Sequence, residues 1–175
     1  QAALSIWDME HVWPTWGFGP EYGTPYPDVR FPTDRADQFY AALPFVHERA
    51  DGRRGGGAAV ENLVALLDQI REPVVLMGHS AGSGTTGAAA AQRPESVLAF
   101  VLIEPAGGIP DGADYPGKAL LGVYGDHIAE RRQTGRMEAT VAAAASFQAA
   151  GGRGRVINLP DDHGIHGNTH IMMQD

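Results

Sequence analysis

The sequence contains no cysteine among its 175 residues. This absence excludes a thiol nucleophile, a disulfide framework and a metal site ligated by cysteine. Basic residues are also few, and the formal net charge of −8 argues against a nucleic-acid-binding surface. Long apolar runs are missing too, since the longest, Val97 to Ile103, is far too short to span a membrane.

The remaining composition is that of a globular domain, with 43% hydrophobic and 19% charged residues. Residues 1–32 hold all three tryptophans and many turn signals, and this stretch is predicted to be irregular and rich in loops. A helix is predicted to begin at Asp34 and to end where Pro44 interrupts it.

The chain changes character after residue 57. Short apolar runs predict buried strands over residues 74–77, 97–103, 119–124 and 155–159. Helical patterns precede, separate or follow them, over residues 60–70, 81–91 and 137–150. This order predicts an α/β fold with a mostly parallel sheet.

A motif for nucleophilic catalysis follows the first predicted strand. Gly78-His79-Ser80-Ala81-Gly82 matches G-x-S-x-G, in which the serine occupies a tight, strained turn between a strand and a helix. The residues two positions away on either side must be nearly without side chain for that turn to close. The motif lies between a buried strand and a small-residue helix, and this context favours Ser80 as a nucleophile over a chance match. The backbone N–H of Ala81 is then predicted to donate to the oxyanion.

A serine hydroxyl needs a histidine to accept its proton, and an acid orients that histidine. Where a serine occupies such a turn, the chain order is serine, acid, histidine. His127, His163, His166 and His170 follow Ser80. The last three come just after the fourth predicted strand, and the base is expected among them.

Two carboxylates compete for the role of the acid. Asp126 follows the third predicted strand, and Glu104 ends the seven-residue apolar run of the second. Each has an ordinary structural alternative: Asp126 as a turn residue and Glu104 as a solvent-facing residue at a strand end. The residues alone leave the choice open.

The sequence allows two other functions. A metal could be bound by the histidine-rich stretch Asp161-Asp162-His163-Gly164-Ile165-His166-Gly167-Asn168-Thr169-His170, but its spacing matches no known ligand pattern. The aromatic N-terminal segment could instead form the surface of a non-catalytic ligand-binding module, although buried packing is the commoner use of such residues.

The chain resembles a small group of bacterial α/β-hydrolase esterases whose acid is a glutamate after the sixth strand of the sheet. The matching pieces are Phe18-Gly19-Pro20, Gly78-His79-Ser80-Ala81-Gly82-Ser83-Gly84, Glu104-Pro105, Tyr124-Gly125-Asp126-His127-Ile128, Ala150-Gly151-Gly152-Arg153-Gly154 and His166-Gly167-Asn168-Thr169-His170-Ile171-Met172-Met173-Gln174-Asp175. They occur in the family's order and extend over nearly the whole chain.

The resemblance implies Ser80 as nucleophile, Glu104 as acid and His170 as base, with Asp126 as the alternative acid. It also implies an aromatic cap over residues 1–57 and the C-terminal part of an α/β-hydrolase catalytic domain over residues 58–175. The implied partner is a small-molecule ester, and no metal or other cofactor is expected. Lactone opening and acyl transfer would use the same residues, and fold alone does not distinguish these reactions.

The chain departs from the family at both ends. The family's first strands, its His-Gly oxyanion loop and its last helix have no counterpart here, so the sequence is expected to be a fragment with one oxyanion donor and an uncovered sheet edge. A removed signal peptide would be compatible with a secreted or periplasmic protein. The compartment, the oligomeric state (a homodimer included) and the physiological substrate are left open.

Overall fold

The computed structural model describes residues 8–42 and 57–175. The chain divides into two compact units, which are described separately. The aromatic unit comprises residues 1–55, 125–133 and 158–175, and the sheet unit comprises residues 56–124 and 134–157. The predicted division into a cap (1–57) and a catalytic part (58–175) stays a prediction. The helix predicted to run from Asp34 to Pro44 is shorter, Ala36–Ala41, and follows a 3-10 turn over Thr33–Arg35. Pro44 itself lies outside the described residues.

The described residues form helices and strands in a mixed α/β order. The helices are α1 (Met9–Trp16), α2 (Ala36–Ala41), α3 (Gly57–Ile70), α4 (Gly82–Gln92), α5 (Thr134–Ala149) and α6 (Leu159–His163). The strands are β1 (Val74–His79), β2 (Val97–Ile103), β3 (Ala119–Tyr124) and β4 (Arg153–Asn158).

The sheet unit is built on one four-stranded sheet with the order β1-β2-β3-β4. The β1–β2 and β2–β3 pairs are both parallel, with Gly78 opposite Leu102 and Leu102 opposite Gly122. Its core is formed by apolar residues of the strands and of α3, α4 and α5, chiefly Leu67, Leu76, Ala89, Ala90, Val97, Phe100, Leu102, Leu120, Ala144 and Phe147. The predicted parallel α/β sheet is therefore confirmed.

Strands β2 and β3 have the predicted bounds, whereas β4 begins at Arg153 and not at Arg155. The first residues of β4 are alternately exposed and half-buried, so they lack the apolar run by which a buried strand is recognised. Gly154 lets this strand approach α5 closely, because a Cβ there would lie 1.8 Å from the Ala144 carbonyl oxygen.

Helix α1 corrects the prediction that residues 1–32 are irregular. The Asp8 carboxylate caps the helix by accepting from the His11 N–H at 2.9 Å, and Gly17 ends it with φ +79°. Pro14 lies inside the helix and removes one backbone donor. The helix tolerates this loss because its buried face, Val12 and Trp13, packs into the core of the aromatic unit. That core also contains Phe18, Phe31, Ala36 and Ile171.

Strand β1 lies at one edge of the described sheet and exposes large apolar side chains. Val75 is 50% exposed and Met77 is 64% exposed. Exposed apolar residues on an edge strand favour self-association.

Among the described helices, none has the length and apolar character needed to cross a membrane.

Candidate functional site

Ser80 occupies a strained turn between β1 and α4. Its φ is +50°, in the left-handed region that residues with a side chain rarely adopt. The turn is fixed on both sides, because the Ser80 N–H donates to the Ile103 oxygen at 3.0 Å and the Ser80 carbonyl accepts from the Ala106 N–H at 3.0 Å. Such strain persists only where surrounding contacts hold it, and it is concentrated at functional sites.

Of the two glycines that flank the serine in the motif, Gly78 is the one required by packing. A Cβ on Gly78 would lie 2.8 Å from the Thr86 hydroxyl oxygen and 2.9 Å from Ser83 Cα, so strand and helix could not approach as they do. A Cβ on Gly82 would meet no atom of the described residues within 4 Å beyond its own helix and chain neighbours. The expectation that both positions exclude a side chain is therefore right for Gly78 and wrong for Gly82.

Ala81, the predicted oxyanion donor, directly precedes α4. It occupies the N-cap position with helical backbone angles, φ −60° and ψ −26°. The N–H groups at the start of a helix carry a partial positive charge, which favours an anion near them. The position of Ala81 suits the predicted role.

Glu104 begins the loop that follows β2, next to the backbone of Ser80. Its side chain is fully buried, at 0% exposure, and its φ is +40°. Its N–H donates to the Val123 carbonyl oxygen at 3.0 Å, and Ala106 in the same loop donates to the Ser80 carbonyl. A carboxylate is buried at high cost unless polar groups compensate it, so a complete burial of Glu104 indicates a specific role. The alternative of a solvent-facing strand end is excluded.

The loop after β2 depends on glycines in α4. A Cβ on Gly87 would lie 2.3 Å from the Gly108 oxygen, and one on Gly108 would lie 2.4 Å from Gly84 Cα. The loop that begins with Glu104 therefore packs backbone to backbone against α4. The sequence shows these glycines as part of a small-residue helix, but not what they contact.

Tyr124 is a buried neighbour of the Glu104 charge in the sheet unit. Burial, and then the charge of Glu104, raise the pKa of Tyr124 to about 12, although its hydrogen bond with Thr140 acts in the opposite direction. Its hydroxyl lies 2.7 Å from the Thr140 hydroxyl and donates to the Arg136 carbonyl at 2.9 Å. The phenol stays protonated at neutral pH and acts as a fixed donor.

Asp126, the alternative acid, belongs to the aromatic unit, where both of its carboxylate oxygens accept backbone hydrogen bonds. Oδ1 accepts from the His127 N–H at 2.8 Å, and Oδ2 accepts from the Gly167 N–H at 3.0 Å. His166 Nδ1 lies 3.2 Å from the same Oδ2 and must be the donor, because an ionised carboxylate only accepts.

Burial acts to raise the pKa of Asp126, but hydrogen bonds from Gly167 and His127 outweigh it, and the pKa is lowered from 3.8. A lowered pKa means that the ionised side chain stabilises the folded state above the unfolded-state pKa, and that this contribution disappears as the pH falls through the folded-state value. We therefore expect the difference in unfolding free energy between the wild type and Asp126→Ala to be present at about pH 5 and to shrink below about pH 3.8. Urea unfolding of both proteins across this range measures it, and a difference that grows toward acid pH would contradict the assignment.

His170 is the one buried member of the three histidines proposed as the base. It is 4% exposed, whereas His163 and His166 are exposed. Its N–H donates to the Trp16 carbonyl at 2.7 Å, and its ring centre lies 6.2 Å from that of Trp16. Burial therefore distinguishes His170 from the other two histidines.

Thr169, next to His170, is held by the Asp175 carboxylate. The Thr169 N–H and hydroxyl donate to the two Asp175 oxygens at 2.7 and 2.8 Å. Sequence reasoning assigned no role to Trp16, and it included Asp175 only as the last residue of the matching C-terminal piece, without its contact to Thr169.

The metal alternative can be compared with the potential ligands that the structure brings together. Among residues 8–42 and 57–175, one group of carboxylate and histidine side chains is close enough to share an ion. It consists of Asp28, Asp126 and His127. It does not include His163, His166 or His170. The Asp126 oxygens are already engaged by N–H donors, and the His127 ring is stacked on Tyr26 at 3.7 Å. These contacts give a structural account of the group without an ion.

Comparison with solved structures finds a protein similar to the whole of this chain. It is a novel bacterial esterase, with a TM-score of 0.85 and 30% sequence identity over 99% of this chain. The chain spans about half of that esterase, 54% of its length. No protein-family model matches the sequence, and a search of curated proteins finds no match.

Proposed function

We propose that the protein is a serine esterase of the α/β-hydrolase fold, which hydrolyses a small-molecule carboxylic ester through an acyl-enzyme on Ser80. The observation that carries the proposal is the strained conformation of Ser80, φ +50°, between a parallel strand and a helix. In an α/β-hydrolase the nucleophilic serine lies on such a turn, which lifts its hydroxyl away from the sheet. The similarity to a bacterial esterase over 99% of the chain supports the same chemistry.

In the proposed reaction, the Ser80 oxygen attacks the ester carbonyl carbon while His170 accepts the serine proton. The N–H of Ala81 donates to the oxyanion, and His170 then returns the proton to the leaving alcohol. Water attacks the acyl-enzyme while His170 accepts a proton from it, and His170 then donates this proton to the Ser80 oxygen as the acid product leaves. No cofactor takes part in these steps.

We assign the acid to Glu104 in preference to Asp126. The acid of such a triad is buried and holds the imidazole in one tautomer. Glu104 is fully buried next to the Ser80 backbone. Asp126 uses both of its oxygens to accept backbone hydrogen bonds, which supports a structural role.

Covalent labelling with a fluorophosphonate tests the nucleophile directly. An activated serine attacks the phosphorus and keeps the phosphonyl group, whereas an ordinary serine does not react. We expect peptide mapping by mass spectrometry to find the label on Ser80. Ser96→Ala is the matched control, since this serine lies outside the strained turn and its loss should leave labelling unchanged.

Labelling of a serine other than Ser80 would contradict the assignment of the nucleophile. Absence of label, together with saturable binding of an ester that is not hydrolysed, would instead support a non-catalytic ligand-binding module.

A further inference from the structure

Asp126 has a set of contacts that the proposed mechanism leaves unused. We name residues 164–170 the histidine loop, since they lead from α6 to His170. The Asp126 carboxylate accepts from the Gly167 N–H at 3.0 Å, and the Asp126 N–H donates to the Asn168 carbonyl at 3.2 Å. Asp126 therefore contacts the middle of the histidine loop through both its side chain and its backbone.

The other side of the histidine loop is fixed by the segment 28–30. The Arg30 N–H donates to the Gly167 carbonyl at 3.0 Å. Gly167 has φ +78°, and a Cβ there would lie 1.8 Å from the Asp28 carbonyl oxygen. Gly167 is thus held between Asp126 and this segment, and its backbone has little freedom to shift.

These contacts end at Asn168, two residues before His170, which is itself fixed by its N–H bond to the Trp16 carbonyl at 2.7 Å. A displacement of Gly167 would be transmitted along the buried residues Asn168 and Thr169 to the imidazole. We propose that Asp126 is a positioning residue, which holds the histidine loop so that His170 is presented in its reactive position. This inference rests on the proposed function of His170.

A positioning role of Asp126 predicts different effects for two of its substitutions. Asp126→Ala removes both carboxylate oxygens, which accept hydrogen bonds from the N–H groups of Gly167 and His127. Asp126→Asn keeps one carbonyl oxygen, which can still accept from Gly167, but the amide nitrogen is a donor and cannot replace the oxygen that accepts from the His127 N–H. The conservative variant should therefore retain much of the function. If Asp126 were the triad acid, the Asn variant would fail about as severely as the Ala variant, because the amide would favour the wrong imidazole tautomer.

The experiment measures the rate of fluorophosphonate labelling for the wild type and both variants. We expect Asp126→Ala to slow labelling by about 100-fold, the effect of a catalytic group displaced by about 1 Å. Asp126→Asn should slow it by less than about 10-fold, because the contact to Gly167 can re-form. A loss of about ten-thousand-fold in both variants would overturn the inference and identify Asp126 as the acid. Unchanged labelling in Asp126→Ala would also overturn it.

A second measurement does not depend on catalysis. Amide hydrogen exchange reports whether the Gly167 N–H is held. We expect exchange at Gly167 to be faster in Asp126→Ala than in the wild type, with the Asn variant between them. An unlabelled wild type would refute the proposed esterase function, whereas unaltered Gly167 exchange in Asp126→Ala would refute the contact on which the positioning role depends.

Asp68→Ala is the matched control. It also removes a carboxylate, one that accepts from Arg93 at 2.7 Å in the sheet unit, far along the chain from the histidine loop. Labelling and Gly167 exchange should both equal those of the wild type. A parallel decrease in this control would show that loss of a carboxylate acts through general stability, and it would overturn the positioning role.

Discussion

Replacing Ser80 by Ala is expected to lower kcat for a small chromogenic ester by about a million-fold, the loss measured when a serine nucleophile of this kind is removed. The reason is that no acyl-enzyme can form without the hydroxyl, and what remains is binding of the ester next to the oxyanion donor. Stopped-flow or long-time hydrolysis assays with p-nitrophenyl acetate measure the loss.

The fold should be unaffected by this change. Alanine differs from serine only by the loss of one oxygen atom. The backbone hydrogen bonds of residue 80 to Ile103 and Ala106 do not involve the side chain. Circular dichroism and the thermal midpoint are therefore expected to match those of the wild type. Retained hydrolysis in Ser80→Ala, at a tenth of the wild-type rate or above, would exclude the acyl-enzyme mechanism.

The strained turn at Ser80 could be predicted from the sequence because its signal is local. The motif, the apolar strand before it and the small-residue helix after it all lie within a short stretch from Val74 to Gln92. The apolar runs of β2 and β3 predicted their bounds for the same reason. Helix α1 was missed because Pro14 interrupts its pattern, and only the packing of Val12 and Trp13 reveals why the helix forms.

The choice between the two acids required the structure. Glu104 and Asp126 both follow apolar strands, and the sequence gives no measure of how deeply a carboxylate is buried. In the structure Glu104 is fully buried and Asp126 is half-buried, and our preference for Glu104 rests on that difference. The contact between Asp126 and Gly167 joins residues 41 positions apart, and no local pattern encodes such a pairing.

The acid assignment leads to the second large effect. Glu104→Gln is expected to lower kcat by about ten-thousand-fold, the loss seen when the acid of a serine triad becomes an amide. Glutamine has nearly the same shape as glutamate, but it carries no charge to stabilise the imidazolium. Its amide group can also donate, which favours the wrong tautomer of His170. KM should change little, because the carboxylate is buried and is not expected to contact the ester.

Asp126→Asn provides the comparison for this prediction, since it makes the same chemical change at the other candidate acid. Its effect on kcat should be less than about 10-fold, because one amide oxygen still accepts from Gly167. Steady-state kinetics of both variants on the same ester therefore assign the acid by the ratio of two losses. If Asp126→Asn lost more activity than Glu104→Gln, Asp126 would be the acid and the burial of Glu104 would need a structural explanation. With the expected order, the triad is Ser80, Glu104 and His170, and the strand that supplies the acid is β2.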